Sequence, residues 1–263
     1  MTAMDQLRTV VYERISRVGI LTLNAADTLN ALTERQMSEV ERVLDDAAKD
    51  ESLGAFILTG VDKAFCVGVH FEILDRCFED IRAFEALVRR VSGIAERIEA
   101  LPMPTIAAVN GHARAAGFEI SLGCDFALIA DEARCGDVHT DVGVIPGAGA
   151  MRLARRVGEQ RAKELVWSSR WWSAAEAVAA GYALKSVPRA RLRDEAIAFA
   201  STLSNKSRPA LQASKRVFQE AAHLAPGEAR EFELCNFIAY MGSATLPREF
   251  YLAARENFRQ KQK

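Results

Sequence analysis

The sequence predicts an α/β fold whose front half alternates strands with helices and whose back half is almost entirely helical. Three observations predict it. Apolar runs of strand length recur at Ala55–Thr59, Thr105–Val109 and Phe126–Ala130, with helical stretches between or beyond them. Apolar residues at helical spacing fill the intervening segments. After Val187 no further strand-like run occurs. Strand–helix alternation favours a parallel sheet with crossover helices.

In order, Thr9–Ile15 alternates in strand fashion and Gly19–Leu23 is its hairpin partner. Asn24–Asn30 is a loop. Thr33 opens a helix through a Thr33-x-x-Gln36 capping box, with Met37, Val40, Val43 and Leu44 as its apolar stripe. Ala55–Thr59 is a buried strand, and Lys63–His70 reads as loop. Phe71–Ile98 is mostly helical, with Phe84, Leu87, Val91, Ile94 and Ile98 on one face, and Leu101–Pro104 stops it. Thr105–Val109 is a strand followed by the Asn110-Gly111 turn, the small residues Ala113, Ala115, Ala116 and Gly117, and a helical pattern carrying Glu119. Phe126–Ala130 and Cys135–Val138 are the next strands, and Gly143–Gly149 is a loop. Helices follow at Ala150–Val157, Glu159–Ser168 and Ala174–Ala180, then a last short strand within Tyr182–Val187. Helices Leu192–Leu203, Pro209–Ala222, Glu228–Met241 and Pro247–Arg259 complete the chain. The boundary between the two halves falls near Val187–Arg191, dividing residues 1–190 from 191–263.

The 263 residues carry a formal net charge of -1, which gives no general reason to expect nucleic acid as a partner. No apolar run approaches the roughly 18 residues of a membrane span, and the first residues lack a secretory apolar core. Five cysteines without a CxxC pair fit reduced thiols and a cytoplasmic location. His70 lies four residues after Cys66 in a loop with no second close pair, so no metal site is expected. The Pro146–Gly149 segment lacks the third glycine of a dinucleotide loop and reads as a turn into a helix. Small residues after a strand let a ligand approach the backbone, and the first N–H groups of a helix have no intrahelical partner. Glu119, a lone acid in that apolar setting, is either charge compensation at a helix start or an acid/base.

Four segments carry a resemblance to a known family. Asn24–Leu32 is similar to the N-x-x-x-x-x-N-A-L opening of the crotonase (enoyl-CoA hydratase/isomerase) superfamily. Phe65–Val69 resembles its F-[CS]-x-G-x loop. Ala107–Gly111 with Ala116–Glu119 resembles its A-A-x-x-G…G-G-x-E segment, and Gly143–Gly149 its G-x-x-P-G-x-G loop. The segments keep the family's order and spacing over most of the chain. The resemblance implies the crotonase (ClpP-like) spiral fold of ββα units, with residues 1–190 as the core domain and 191–263 as a C-terminal helical trimerisation region. It implies an acyl-CoA thioester substrate, no separate cofactor, no membrane or nucleic-acid partner, and a homotrimer or a dimer of trimers. By position it assigns oxyanion-hole donors to the Val69 and Ala116 N–H groups, Ala116 standing where the family usually has glycine. Glu119 matches the first family glutamate, and the second position falls on His139, flanked by Asp137 and Asp141. If His139 lay on a strand, either aspartate would share its face and orient the ring or raise its pKa. His70 stands where aspartate is common. The resemblance places the substrate near Thr28, Asn30, Ala64, Cys66, Gly68, His70, Phe71 and Gly117. Phe258 and Lys261 match an F-x-x-K that reaches CoA on an adjacent subunit. The implied activity is hydration of a 2-enoyl-CoA. Double-bond isomerisation, β-diketone hydrolysis or a catalytically silent binding role are the alternatives.

Overall fold

The computed structural model describes residues 8–242 and 246–261. Strands β1 (Val10–Ile15) and β2 (Val18–Leu23) form the expected antiparallel hairpin. Helix α1 (Glu34–Lys49) starts where the Thr33 side chain accepts from the Gln36 N–H, and it buries Met37, Val40, Val43, Leu44 and Ala47. Next come β3 (Ala55–Gly60), β4 (Ala64–Cys66), α2 (Phe71–Glu79) and α3 (Ile81–Ala100). The sequence pattern runs α2 and α3 together. Asp80 separates them by leaving helical geometry (φ -140°, ψ 111°) and capping α3 through Arg82 N. The chain continues through β5 (Thr105–Val109), β6 (His112–Arg114), α4 (Ala116–Ser121), β7 (Phe126–Ala130) and β8 (Arg134–Gly136). After a 3-10 turn at His139–Val142 come α5 (Ala150–Val157), α6 (Glu159–Ser168), β9 (Trp172–Ser173), α7 (Ala174–Ala180), β10 (Lys185–Val187) and α8 (Arg189–Ser204).

Six strands form one sheet in the order β1-β2-β3-β5-β7-β10, parallel except at β1–β2. Four short strands form a second sheet, β4-β6-β8-β9. Each of β3, β5 and β7 is followed directly by a strand of the small sheet and then by a helix. The chain therefore winds as successive ββα turns, the crotonase fold anticipated above. Strands β3, β5 and β7 read as continuous apolar runs because both faces of a parallel sheet are covered; every residue of β5 is buried.

The small sheet corrects two expectations. Lys63–His70 contains β4, and the Asn110-Gly111 turn leads into β6. Strands of three residues offer too few positions for a period-2 signal, so only their long-range pairing, such as Cys66 with Ala113 and Ala113 with Cys135, defines them. His139 lies in the 3-10 turn after β8, and the strand expected at Cys135–Val138 starts one residue late and ends two residues late against the observed Arg134–Gly136.

The contacts divide the chain into compact units Met1–Leu203 and Ser204–Lys263. Helix α8 lies in the first as far as Leu203, with Leu192, Ala196 and Ala200 buried. The second unit comprises α9 (Arg208–Ala221), α10 (Pro226–Gly242) and α11 (Leu246–Lys261). It exposes Phe218, Leu234, Phe237, Ile238, Tyr251 and Phe258. No helix of the described residues is long and apolar enough to cross a membrane.

Candidate active site

Helix α4 holds Glu119 at the centre of the first unit, and all six of its residues are buried. Close packing there depends on Gly117: a Cβ at that position would lie 2.0 Å from the Cys66 carbonyl oxygen. The helix starts from Ala115, whose backbone takes φ +47°, ψ -129°. That conformation suits glycine at the first central position of a type II′ turn. It brings the Ala116 N–H close to the end of β4, where a Cβ on Gly68 would sit 3.5 Å from the Ala116 nitrogen. Gly68 itself takes φ +108°.

Two backbone donors are left over in this corner. A parallel bridge joins Leu32 to Val69, but its bonds run from Leu32 N to Gly68 O (2.7 Å) and from His70 N to Leu32 O (3.0 Å). The bridge thus consumes the groups either side of Val69 and leaves the Val69 N–H unused. The Ala116 N–H is the first of α4 and has no carbonyl four residues back within the helix. Among the described residues neither N–H has a hydrogen-bond partner. Two such donors can bind an oxygen that gains negative charge.

Glu119 Oε1 accepts from the Ala148 N–H at 2.9 Å. Gly149 presses on the same side chain, since a Cβ there would lie 2.6 Å from Glu119 Cγ. His139 approaches from beyond β8. Asp137 holds it with both carboxylate oxygens: Oδ1 accepts from the His139 backbone N–H at 2.9 Å, and Oδ2 lies 2.8 Å from Nδ1. A carboxylate oxygen of Glu119, one of Asp137 and a ring nitrogen of His139 all lie within 4.8 Å of one another. These are the residues that could hold a metal ion among those described. With Asp137 Oδ2 already turned to Nδ1, the bonding pattern suits an oriented imidazole that exchanges protons at its other nitrogen.

Burial pushes the Glu119 carboxyl up, and the charge of His139 and the Ala148 N–H only partly offset this. Burial works against a charged His139 ring, but the Asp137 hydrogen bond and the charges of Glu119 and Asp137 outweigh it and raise its pKa. Arg114 lies behind the pair and lowers it slightly. Its guanidinium donates to the Ser169 and Arg170 carbonyls and stacks on Trp171 at 4.2 Å. Cys66 is not a nucleophile candidate, because full burial pushes its thiol up to about 12.

The remaining expected site residues divide. Ala64, Cys66, Gly68, His70 and Gly117 gather around β4 and the start of α4, and Phe71, the first residue of α2, is exposed. Thr28 sits in a 3-10 turn with its hydroxyl donating to Ala25 O. Asn30 differs from expectation. It is fully buried; its Oδ1 accepts from Ala25 N, and its Nδ2 donates to Val61 O and, at 2.8 Å, to Ala64 O. Its side chain braces the loop and leaves nothing to offer a ligand. Asn110 Nδ2 also donates to Ala64 O, so that carbonyl already has two donors. Phe258 is exposed on α11 in the second unit. Lys261 ends α11, and its side chain lies outside the described residues. Sequence patterns missed the Ala148 N–H as the partner of Glu119. The signal was present in Gly149, small beside an acid it must clear, but the Pro146–Gly149 segment reads locally as a turn. Between Asp137 and Asp141 the structure chooses the first; Asp141 is exposed.

Two sheets wound in ββα turns, with two backbone donors beside a buried acid and a partly buried imidazole, have the make-up of an acyl-transfer or enolate-stabilising class of site. Comparison with known proteins gives the family. The Enoyl-CoA hydratase/isomerase family profile matches residues 13–261, and the chain belongs to that family. It is 37% identical over 227 residues to the Mycobacterium tuberculosis protein named "Probable enoyl-CoA hydratase echA8", covering 86% of each chain. It is 31% identical over 231 residues to the short-chain-enoyl-CoA hydratase of Clostridium acetobutylicum, covering 87% of each. The crystal structure of an enoyl-CoA hydratase from Bacillus anthracis superposes with a TM-score of 0.90 at 28% identity, over 95% of this chain and 97% of that one.

Proposed function

We propose that the protein hydrates a 2-enoyl-CoA, with Glu119 and His139 as the acid/base pair and the Val69 and Ala116 N–H groups as the oxyanion hole. The supporting observation is the Glu119–His139–Asp137 cluster, its two carboxylates buried and its imidazole partly so, beside two unpartnered backbone donors. The thioester oxygen lies between the two N–H groups. Glu119, made more basic by burial, removes a proton from water as the water oxygen adds to Cβ. The electrons of the double bond pass to the thioester oxygen as an enolate, which the two donors stabilise. His139, whose ring is favoured in its charged form, delivers a proton to Cα. Transfer of the proton from Glu119 to His139 within the cluster resets both groups, so that one water has been added in all. The Ala116 methyl narrows the pocket but leaves the donor in place. CoA runs along the Thr28 and Cys66–Phe71 side. Phe258 and Lys261 reach CoA on an adjacent subunit of a trimer or pair of trimers.

The test is turnover of crotonyl-CoA and longer enoyl-CoAs, followed as loss of the conjugated thioester absorbance. Glu119→Gln should lower kcat by about 10²–10⁴. Unchanged turnover in Glu119→Gln, or none in the parent protein, refutes the proposal. One observation favours a second function. A carboxylate-held imidazole also suits activation of water for C–C hydrolysis of a β-diketone, with the carbanion's charge on the same two donors. Release of a carboxylic acid from a diketone, without any CoA thioester, distinguishes it.

A further inference from the structure

We infer that Asp137 is a positioning residue of this site: it locks the His139 imidazole with its proton on Nδ1 and leaves Nε2 as the nitrogen that exchanges protons with substrate. Asp137 follows β8 directly, is 2% exposed, and receives both the backbone N–H and Nδ1 of His139. An aspartate can accept at both oxygens at once, and no neutral side chain of the same shape can. The 3-10 turn is pinned from its other side as well. The Thr140 hydroxyl donates to Val166 O at 2.6 Å and meets the Ser169 hydroxyl at 2.8 Å. Arg114 clamps the Ser169 and Arg170 carbonyls, tying the same neighbourhood to β6. The ring is therefore held by a bidentate carboxylate on a turn that has little freedom to rotate.

The charges alternate across four elements. Arg114 lies on β6, Asp137 at the end of β8, His139 on the turn and Glu119 on α4, and these are the charged groups that act on His139. An imidazole carrying its Nδ1 proton towards Asp137 can exchange the Nε2 proton without losing its anchor. The opposite tautomer would place two acceptors, Nδ1 and Oδ2, face to face at 2.8 Å. The exposed Asp141 provides no such hold.

The inference is tested on the full chain by ¹⁵N NMR of its histidine rings, with His139 assigned by its loss in His139→Gln. Above its pKa, His139 of the unaltered protein should show the Nδ1-protonated tautomer. A predominant Nε2-protonated ring overturns the proposal, with no variant needed. Asp137→Asn can keep only one of the two accepted bonds and should lower the His139 pKa by about one unit or more. An unchanged pKa refutes the proposal. The kinetic arm rests on the hydratase function proposed above. Asp137→Asn should lower kcat on crotonyl-CoA by about 10–100-fold with little change in KM. In a His139→Gln background the same change should cost nothing further. A full additional loss there marks Asp137 as a merely structural residue. If the protein leaves every enoyl-CoA untouched, the hydratase function fails, while the ring tautomer and pKa still decide the role of Asp137.

Discussion

Gly149→Ala should disable Glu119 without replacing it. Gly149 has φ -109° and ψ -32°, a conformation alanine adopts freely, so the backbone raises no objection. An added methyl would meet Glu119 Cγ at 2.6 Å, Oε1 at 3.1 Å and Cβ at 3.3 Å. Carbon atoms rest at about 3.5–4.0 Å, so the side chain must retreat by roughly 1 Å. It is buried, with little room to retreat without stretching the 2.9 Å bond from Ala148 N. A hydrogen bond to a charged group contributes about 1.5–3 kcal/mol. A misplacement of about 1 Å at a reacting group costs roughly 10²-fold in rate. Thus Gly149→Ala should lower kcat on crotonyl-CoA by about 10² and destabilise the fold by about 1–3 kcal/mol. Its sign is diagnostic, because Gly→Ala at a compatible backbone ordinarily stabilises by about 0.4–1 kcal/mol. Losing the Ala148 N–H should also move the limb of the kcat–pH profile that belongs to Glu119 further upward, since that bond favours the charged form. Steady-state kinetics and a urea melt measure both effects. A variant as active and as stable as the parent would refute the packing of the Pro146–Gly149 loop against Glu119.

Glu39 anchors the first strand, accepting from the Arg8 and Thr9 N–H groups, the Thr9 hydroxyl and Arg35. Although burial opposes it, these bonds lower its carboxyl to about 2. A carboxyl depressed in the folded state stabilises above its unfolded pKa and loses that contribution as pH falls through the folded value. Glu39→Gln should therefore cost at most about 3 kcal/mol at pH 7 and progressively less from about pH 4 down to 2, measured by urea melts across that range. Ala115→Gly removes the strain of a positive φ, about 1–3 kcal/mol, against a glycine entropy cost of roughly 0.5–1 kcal/mol. It should raise Tm and keep activity, and a lower Tm would show that the methyl group has a packing role that outweighs the strain.

The long strands, the helices and the Thr33 cap were legible in the sequence because each is specified by its own residues. Apolar runs such as Thr105–Val109 need no distant partner to be read as strands, and Thr33 caps the helix that follows it by accepting from the N–H of Gln36, three residues on. The motifs also located both halves of the candidate pair, Glu119 and His139, along with the backbone segments that carry Val69 and Ala116. Tertiary structure decided the rest. The three-residue strands β4, β6 and β8 exist only through pairing across tens of residues, as between Cys66 and Ala113. Asn30 proved to be a brace because Ala25, Val61 and Ala64 converge on it, which its own neighbours do not reveal. Asp137 and Asp141 stand equally far from His139 in sequence, and only the 3-10 turn after β8 brings one to the ring and leaves the other at the surface. Local propensity and motif order determined which segments meet at this site. Non-local pairing and packing decided which atoms within them touch, because hydrogen bonds and contacts across the fold depend on distances that no local pattern encodes.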